Sequence, residues 1–326
     1  MLGAEKVANL WTSPGARVDT VVTWGRKPNA KVARVLARMR NRDIVQLEDG
    51  FLRSIGLGVT GAAPLSIVVD PEGIYYDSTR PSRLENILAG CTKESTALLD
   101  PAVIARAGRL LAQLRNSGIS KYNGGSDFTG LAPASRRRVL VVDQTDRDLS
   151  LRLGGAVPGG LRMLTNAALS EHPDAEVIVK IHPDVLSGRR SGHEHEIPND
   201  PRVTIVSTWV HPATLLREVE DVYVMTSQLG FDALVHGHRV HCFGIPFYAG
   251  WGLTEDRVPI VRRRVARSIE QLVAAALVLY PRYVDPVTGC RVGPEETIAT
   301  LVAHRRAMLA ARDAKLAGGL GAVLTA

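Results

Sequence analysis

Short apolar runs that break off into polar clusters recur along this chain of 326 residues. Residues 18–24 read as a strand, residues 29–40 carry Val32, Val35, Leu36 and Met39 at helical spacing, and residues 44–47 read as a second strand. A strand–helix–strand opening implies a parallel sheet. Residues 65–69 and 74–76 flank Asp70-Pro71-Glu72-Gly73, a turn sequence that predicts a hairpin. Residues 82–88, 95–99 and 101–117 are predicted helical, the last with Val103, Ala107, Leu110, Leu111 and Leu114 along one face. Residues 119–135 are polar and rich in glycine, which marks a linker.

The second half repeats strand, polar loop and helix. Residues 138–142 form an apolar run that breaks into Asp143-Gln144-Thr145-Asp146-Arg147-Asp148-Leu149-Ser150. A glycine-rich segment follows (Gly154, Gly155, Gly159, Gly160), then a predicted helix over 161–171 and a strand over 176–181 that runs into His182-Pro183-Asp184. A polar loop over 189–200, a strand over 203–206 and a helix over 212–218 come next. The strand at 221–225 ends in Thr226-Ser227-Gln228, before a helix over 229–236 that these hydroxyl residues would cap. Residues 239–243 are a further strand, 244–252 an aromatic and glycine loop, and 268–280 and 294–314 helices, with a frayed end over 317–326.

In an open α/β sheet the ligand lies beyond the carboxyl ends of the strands. The clusters at Asp143–Ser150, Lys180–Asp184 and Thr226–Gln228 all fall there, as does Glu48-Asp49 with Arg53 close behind. Each cluster also reads as ordinary turn and cap chemistry, since Asp and Ser serve turns and Pro stops strands. A helix start with free amides near hydroxyls suits an anion, and three polar strand ends in one half favour a nucleotide phosphate. The loop at 56–61 lacks the spacing of a phosphate loop.

Composition narrows the class. Hydrophobic residues at 45% with 22% charged suit a globular chain with a core, and no apolar run reaches the roughly 18 residues of a membrane span. The first ten residues lack a secretory pattern, and Cys91, Cys242 and Cys290 read as reduced thiols, which together suggest the cytosol. A net charge of +7 admits nucleic acid, a membrane surface or an anionic substrate. The runs Arg136-Arg137-Arg138 and Arg262-Arg263-Arg264 carry no interleaved aromatics, so nucleic acid is disfavoured. His193-Glu194-His195 lacks a third ligand nearby, so no metal is expected.

The motifs together resemble the bacterial capsular polysaccharide synthesis proteins that act as retaining β-Kdo glycosyltransferases, Kdo being 3-deoxy-D-manno-octulosonic acid. The resemblance runs from Trp24-Gly25-Arg26-Lys27-Pro28 through Leu47 to Ser54, Pro64-Leu65-Ser66, Gly73 to Asp77, Lys121-Tyr122-Asn123, Asp143-Gln144-Thr145 with Asp148-Leu149-Ser150, and Lys180 to Val185, to the segments 225–234 and 243–254. Larger members carry two such modules in tandem, and this chain resembles one.

The resemblance implies an α/β, GT-B-like fold: two Rossmann-type domains with a cleft between them and C-terminal helices. Residues 1–130 would form the acceptor-side domain, 131–265 the CMP-sugar domain, and 266–326 helices packing back on both. CMP-Kdo would be the donor, with no cofactor, and the acceptor a Kdo-terminated or lipid-linked chain. Asp148 would be the nucleophile with Asp143 as runner-up, and Glu48 the base with Asp49 behind it. Lys180, His182, Pro183, Thr226, Ser227 and Gln228 would hold the departing nucleotide. Asp232, where relatives have Glu, would sit at the ribose. Arg53 would grip the sugar carboxylate, with Gln144, Ser150, Tyr248 and Trp251 lining the sugar or base. A capsule assembly complex and a peripheral inner-membrane contact are the expected partners. A GT-B nucleotide-sugar epimerase and a non-catalytic assembly scaffold are the alternatives.

Overall fold

The computed structural model describes residues 18–26, 28–58, 61–129, 131, 136–146, 148–188 and 193–323. The first ten residues, Lys27, Arg147 and the 132–135 part of the linker therefore lie outside the described residues.

The amino-terminal lobe opens as β1 (Thr20–Trp24), α1 (Pro28–Met39), β2 (Asp43–Asp49) and β3 (Ser66–Asp70), followed by α2 (Arg83–Ala89) and α3 (Pro101–Ser117). Asp100 caps α3 ahead of Pro101, and Gly118 closes it at φ 69°. β1 and β2 pair in parallel, as the sequence predicts, but β3 runs antiparallel to β2. The predicted hairpin does not form. Residues 74–76 take a turn conformation, and the Asp70 carboxylate holds the reversal by accepting from the amides of Glu72 and Gly73, both at 2.8 Å.

The second lobe holds β4 (Arg138–Val142), α4 (Leu149–Leu153), α5 (Gly160–Glu171), β5 (Glu176–Lys180), α6 (Pro183–Leu186), β6 (Val203–Val206), α7 (Pro212–Leu216), β7 (Asp221–Val224), α8 (Leu229–His236), β8 (Arg239–Cys242) and β9 (Glu255–Asp256). All its pairings are parallel, in the order β6-β5-β4-β7-β8-β9. This is the Rossmann order, and its topological switch point lies between β4 and β7. Every residue of β4 and β7 is buried, as sheets covered on both faces require.

The chain then crosses back. α9 (Ile269–Val273), capped by Ser268 and Gln271, continues as a buried π-helical turn over Ala274–Leu279 and leads into β10 (Pro281–Val284), β11 (Arg291–Val292) and α10 (Pro294–Val323). The segment after residue 266 is thus not helices alone. β10 pairs antiparallel with β3, with Val68 opposite Pro281, so the first sheet reads β1-β2-β3-β10-β11. α10 also runs past the predicted end at 314, to Val323, and 324–326 lie outside the described residues.

One hydrophobic core spans both lobes. Phe51 of the first lobe stacks within 4.4 Å of Phe247 and 6.2 Å of Phe231 of the second. Glu85 on α2 receives Arg263 at 2.9 Å through Nη2, a buried pair that also draws in Arg262. The linker is pinned rather than loose over its described part. Asn123 is fully buried, Ser126 bridges Val210, and Arg305 of α10 holds Asp127 at 2.6 Å.

Candidate active site

A cavity of about 900 Å³ opens between the lobes at the switch point. Glu48, Asp49 and Lys121 line it from the first lobe, and Asp143, Asp148, Lys180, His182, Ser227 and Asp232 from the second.

The crossing of β4 and β7 is tied by side chains. Gln144 Oε1 accepts from the Thr226 amide at 2.8 Å, and its Nε2 donates to Ser150 Oγ at 3.2 Å and Thr226 Oγ1 at 3.1 Å. Ser150 and Thr226 hydroxyls lie 3.0 Å apart. These three line the cavity while fixing one another. Asp148 caps α4, its Oδ1 accepting from the Ser150 amide at 2.9 Å, and so stands at the cavity wall in a set orientation.

Asp143 sits deeper, 2% exposed. Its carboxylate accepts from the His182 amide at 3.4 Å and lies 3.3 Å from His193 Nδ1. Burial raises its pKa, against those two partners. The same Nδ1 lies 3.1 Å from the Gln144 carbonyl, which only accepts, so Nδ1 carries a proton. Burial draws the His193 pKa down, but Asp143 outweighs it and the net shift is upward. Sequence reasoning set His193 aside as a polar-loop residue without a third metal ligand nearby, yet the fold brings it to Asp143. His195 is exposed. Lys180, at the end of β5, is pulled down to about 8 by burial despite Asp143. His182 Nδ1 accepts from the Asp184 amide at 3.1 Å, so the neutral ring carries its hydrogen on Nε2 as a donor. Pro183 starts α6, and its side chain lies outside the described positions.

At α8 the predicted hydroxyl cap is only half made. Ser227 Oγ accepts from the Leu229 amide at 3.3 Å, whereas Thr226 is engaged with Gln144. Gln228 Nε2 donates to the Phe51 carbonyl at 3.0 Å across the lobes, leaving its Oε1 buried with no hydrogen-bond partner. Asp232 accepts from Ser120 Oγ at 2.6 Å. Burial pushes its pKa up to about 7, opposed by Ser120 and Lys121.

Two assigned residues do not reach the cavity, and a third is already engaged at its wall. Tyr248 and Trp251 are wholly buried and touch no ligand space. Tyr248 donates to the Ser227 carbonyl at 2.5 Å and so braces the start of α8 from behind, while Trp251 donates to the Phe247 carbonyl at 2.9 Å and ties its own loop. Gly230 lies so close that an added Cβ would stand 2.2 Å from the Tyr248 hydroxyl. Arg53 reaches the cavity, but its Nε lies 2.7 Å from Asp49 Oδ2 and its Nη1 donates to Ser54 Oγ at 2.9 Å and the Ala62 carbonyl at 2.7 Å. A two-pronged grip on a ligand carboxylate would require giving up Asp49.

Lys121 is a second cation on that side of the cavity, which sequence reasoning placed in a motif but gave no role. Burial works against its charge, but Tyr75, Tyr122, Asp49 and Glu48 raise its pKa above the ordinary value. Glu48, the last residue but one of β2, accepts from Trp24 Nε1 at 3.1 Å. Among the described residues, one group suits a metal ion, His172, Asp221 and His241, at the start of β7 rather than at its cleft end. His241 Nε2 lies 3.0 Å from Asp221, which also pairs with Arg137. Among the described residues no helix is long and apolar enough to cross a membrane.

Residues 19–291 match the family described as capsule polysaccharide biosynthesis protein. The chain belongs to that family. It is 41% identical over 286 residues to the capsule polysaccharide modification protein LipA of Neisseria meningitidis serogroup B, covering 84% of this chain and 40% of LipA. It is 40% identical over 311 residues to the lipopolysaccharide-processing protein LpsZ of Rhizobium meliloti, covering 94% of this chain and 68% of LpsZ. The chain therefore spans about two fifths of LipA. Among solved structures it is similar to the β-Kdo 2,4 transferase of Thermosulfurimonas dismutans KpsC, with a TM-score of 0.82 and 43% identity over 87% of each chain. The β-Kdo 2,7 transferase of the same protein gives 0.67 and 32%, over 88% of this chain and 85% of that one. The two-lobed GT-B architecture expected from the sequence is the one observed.

Proposed function

We propose that this chain is a retaining β-Kdo glycosyltransferase that moves Kdo from CMP-Kdo onto a Kdo-terminated or lipid-linked acceptor in capsule polysaccharide synthesis. The observation that carries this is the meeting of Glu48, Asp148, Lys180 and His182 around one interlobe cavity, in a chain similar to a β-Kdo transferase over most of both lengths.

In this reading Asp148 attacks the anomeric carbon of Kdo. Its carboxylate oxygen forms the new bond as the bond to the phosphate oxygen breaks, and CMP departs with the electron pair. Lys180 and the Nε2 hydrogen of His182 stabilise that phosphate, with Ser227 at the start of α8 beside them. Glu48 then takes the proton of the acceptor hydroxyl, whose oxygen displaces Asp148 and restores the configuration. The greater burial of Asp143, and its contacts to His182 and His193, favour Asp148 over Asp143 as nucleophile. This chemistry on a single phosphate requires no metal. An inner-membrane contact through the basic surface and a place in a capsule assembly complex belong to the same proposal, the former released by high salt.

The test is CMP-Kdo with a synthetic Kdo-terminated lipid, products read by mass and NMR. Asp148→Ala is expected to lower transfer by roughly 10³-fold or more while CMP still binds. Near-normal turnover in that variant would end the nucleophile assignment. Donor alone, converted to a rearranged sugar, would support an epimerase, and intact donor under all conditions a scaffold.

A further inference from the structure

Beside the cleft, three arginines of the first lobe share the field of one carboxylate. Arg26, in the Trp24-Gly25-Arg26 motif, donates through Nε to Asp77 Oδ2 at 2.7 Å and pairs with the same oxygen through Nη2. The other Asp77 oxygen is taken by Thr79, through Oγ1 at 2.6 Å and the amide at 3.1 Å. Arg34 of α1 and Arg80 ahead of α2 lie close enough to feel the Asp77 charge, and Arg38 of α1 acts on both. Burial first, and then Arg26 and one another, push the Arg34 and Arg80 guanidinium pKa values down. Asp70, which also acts on Arg80, already accepts from Glu72, Gly73, Arg83 and Tyr280. Nη1 of Arg34 and Nε of Arg80 are buried with no hydrogen-bond partner.

Leaving such donors unpaired is costly, and several guanidinium groups around one point suit a phosphate or carboxylate. The cluster has a route to the chemistry. Arg26 and Lys31 line a second cavity of about 680 Å³, whose other wall includes Asp143, Asp148 and Arg152. Ser78, next to Asp77, donates from its amide at 2.8 Å and its hydroxyl at 2.9 Å to the carbonyl of Leu153, the last residue of the helix that Asp148 caps. Lys180, His182 and Ser227 lie in the other cavity, so this cation cluster is separate from the groups assigned to the departing phosphate.

We infer that Arg26, Arg34 and Arg80 form a second anion-binding site, reached through Arg26 from the cavity that Asp148 lines, that holds an oxyanion of the acceptor, a phosphodiester or a sugar carboxylate. This rests on the transferase reading. Three acceptors separate the sources: a Kdo glycoside on an alkyl phosphodiester, the same glycoside on a neutral alkyl ether, and the phosphodiester with its Kdo carboxylate methylated. Arg34→Met and Arg80→Met are each expected to raise the KM for the first acceptor roughly tenfold, the scale of one charged hydrogen bond, with the KM for CMP-Kdo unchanged. The effect disappears with the ether if the phosphate is held, and with the methyl ester if the carboxylate is. An unchanged acceptor KM, or an equal effect on all three acceptors, overturns the site.

Because each substitution relieves repulsion, Tm is expected to hold or rise. A fall in Tm with both KM values moved alike would mean a structural role and also overturns it. Should the wild-type protein transfer nothing, calorimetric titration with the phosphodiester glycoside still decides. Binding lost in both variants supports the site, whereas no binding, or binding equal to wild type, overturns it.

Discussion

The two lobes share an α/β plan but close it differently. The second lobe is built from neighbours in sequence: its six strands are all parallel, and each crossover returns within a few tens of residues. The first lobe is completed from far away, by β10 and β11 some two hundred residues after β3. The charges at the cleft differ in the same way. In the second lobe Lys180 and Asp232 are shifted chiefly by burial, in opposite directions. In the first, neighbours set the state: Arg53 lies against Asp49, and Lys121 keeps its charge among Glu48, Asp49 and two tyrosines. A lobe folded from local segments can carry isolated strained charges at its strand ends. At the same cavity the lobe assembled from distant segments presents compensated ones, Arg53 with Asp49 and Lys121 with Glu48 and Asp49.

The sharpest way to break this comparison is at β10. Tyr283 is 3% exposed and donates to the Leu277 carbonyl at 2.7 Å. Tyr283→Ala should cost roughly 3–5 kcal/mol, the range for removing a large buried aromatic. If the first lobe depends on the returning chain, hydrogen exchange should quicken in β2 and β3 well before β4, β5 and β7. Uniform loss of protection would mean that the lobes unfold as one, through the core centred on Phe51.

The same difference explains what was legible in the sequence. Burial on both faces makes β4 and β7 continuous apolar runs, so their ends, and with them Asp143, Asp148 and Thr226, could be read directly. α8 was readable to the residue, with Gly237 closing it at φ 87°. β10 was not, because a four-residue strand with Pro at its start has no local signal once its partner is far off. The turn at Asp70–Gly73 suggested a hairpin for the same reason: the carboxylate that shapes the reversal is visible, but not that β3 pairs with β2 and β10 on its two edges. Arg53 and Lys121 could not be weighed against each other from the sequence. A side chain's partner decides which of two cations meets a ligand, and no spacing rule supplies the partner. Aromatic residues in a glycine loop suggested a stacking surface at Tyr248 and Trp251, where the glycines instead let the backbone close over them.

Lys180 sharpens the contrast in charge. Its folded pKa of about 8 lies below its ordinary value, so its positive charge fades as pH rises through 8. If that charge steadies the departing phosphate, transfer should fall about tenfold per pH unit above this point. Lys180→Arg keeps its charge and should move the alkaline limb upward, even at a lower plateau rate. A limb that stays in place would assign the titration to another group. Stability moves oppositely: between about 8 and the unfolded value near 10.5 the unfolded chain holds more protons, so rising pH favours the fold.

Asp232 gives the smallest and most specific effect. Its folded pKa of about 7 is raised by burial, so between pH 4 and 7 the folded chain retains a proton that the unfolded chain has released. This contribution favours the fold fully below about pH 4, is lost as pH rises, and has gone once pH passes 7. Asp232→Asn keeps the acceptor for Ser120 and removes the titration, so stability measured by denaturant midpoint should flatten across that window relative to wild type. A slope that Asp232→Asn leaves in place would take the burial strain away from this carboxyl and assign the pH dependence to another group.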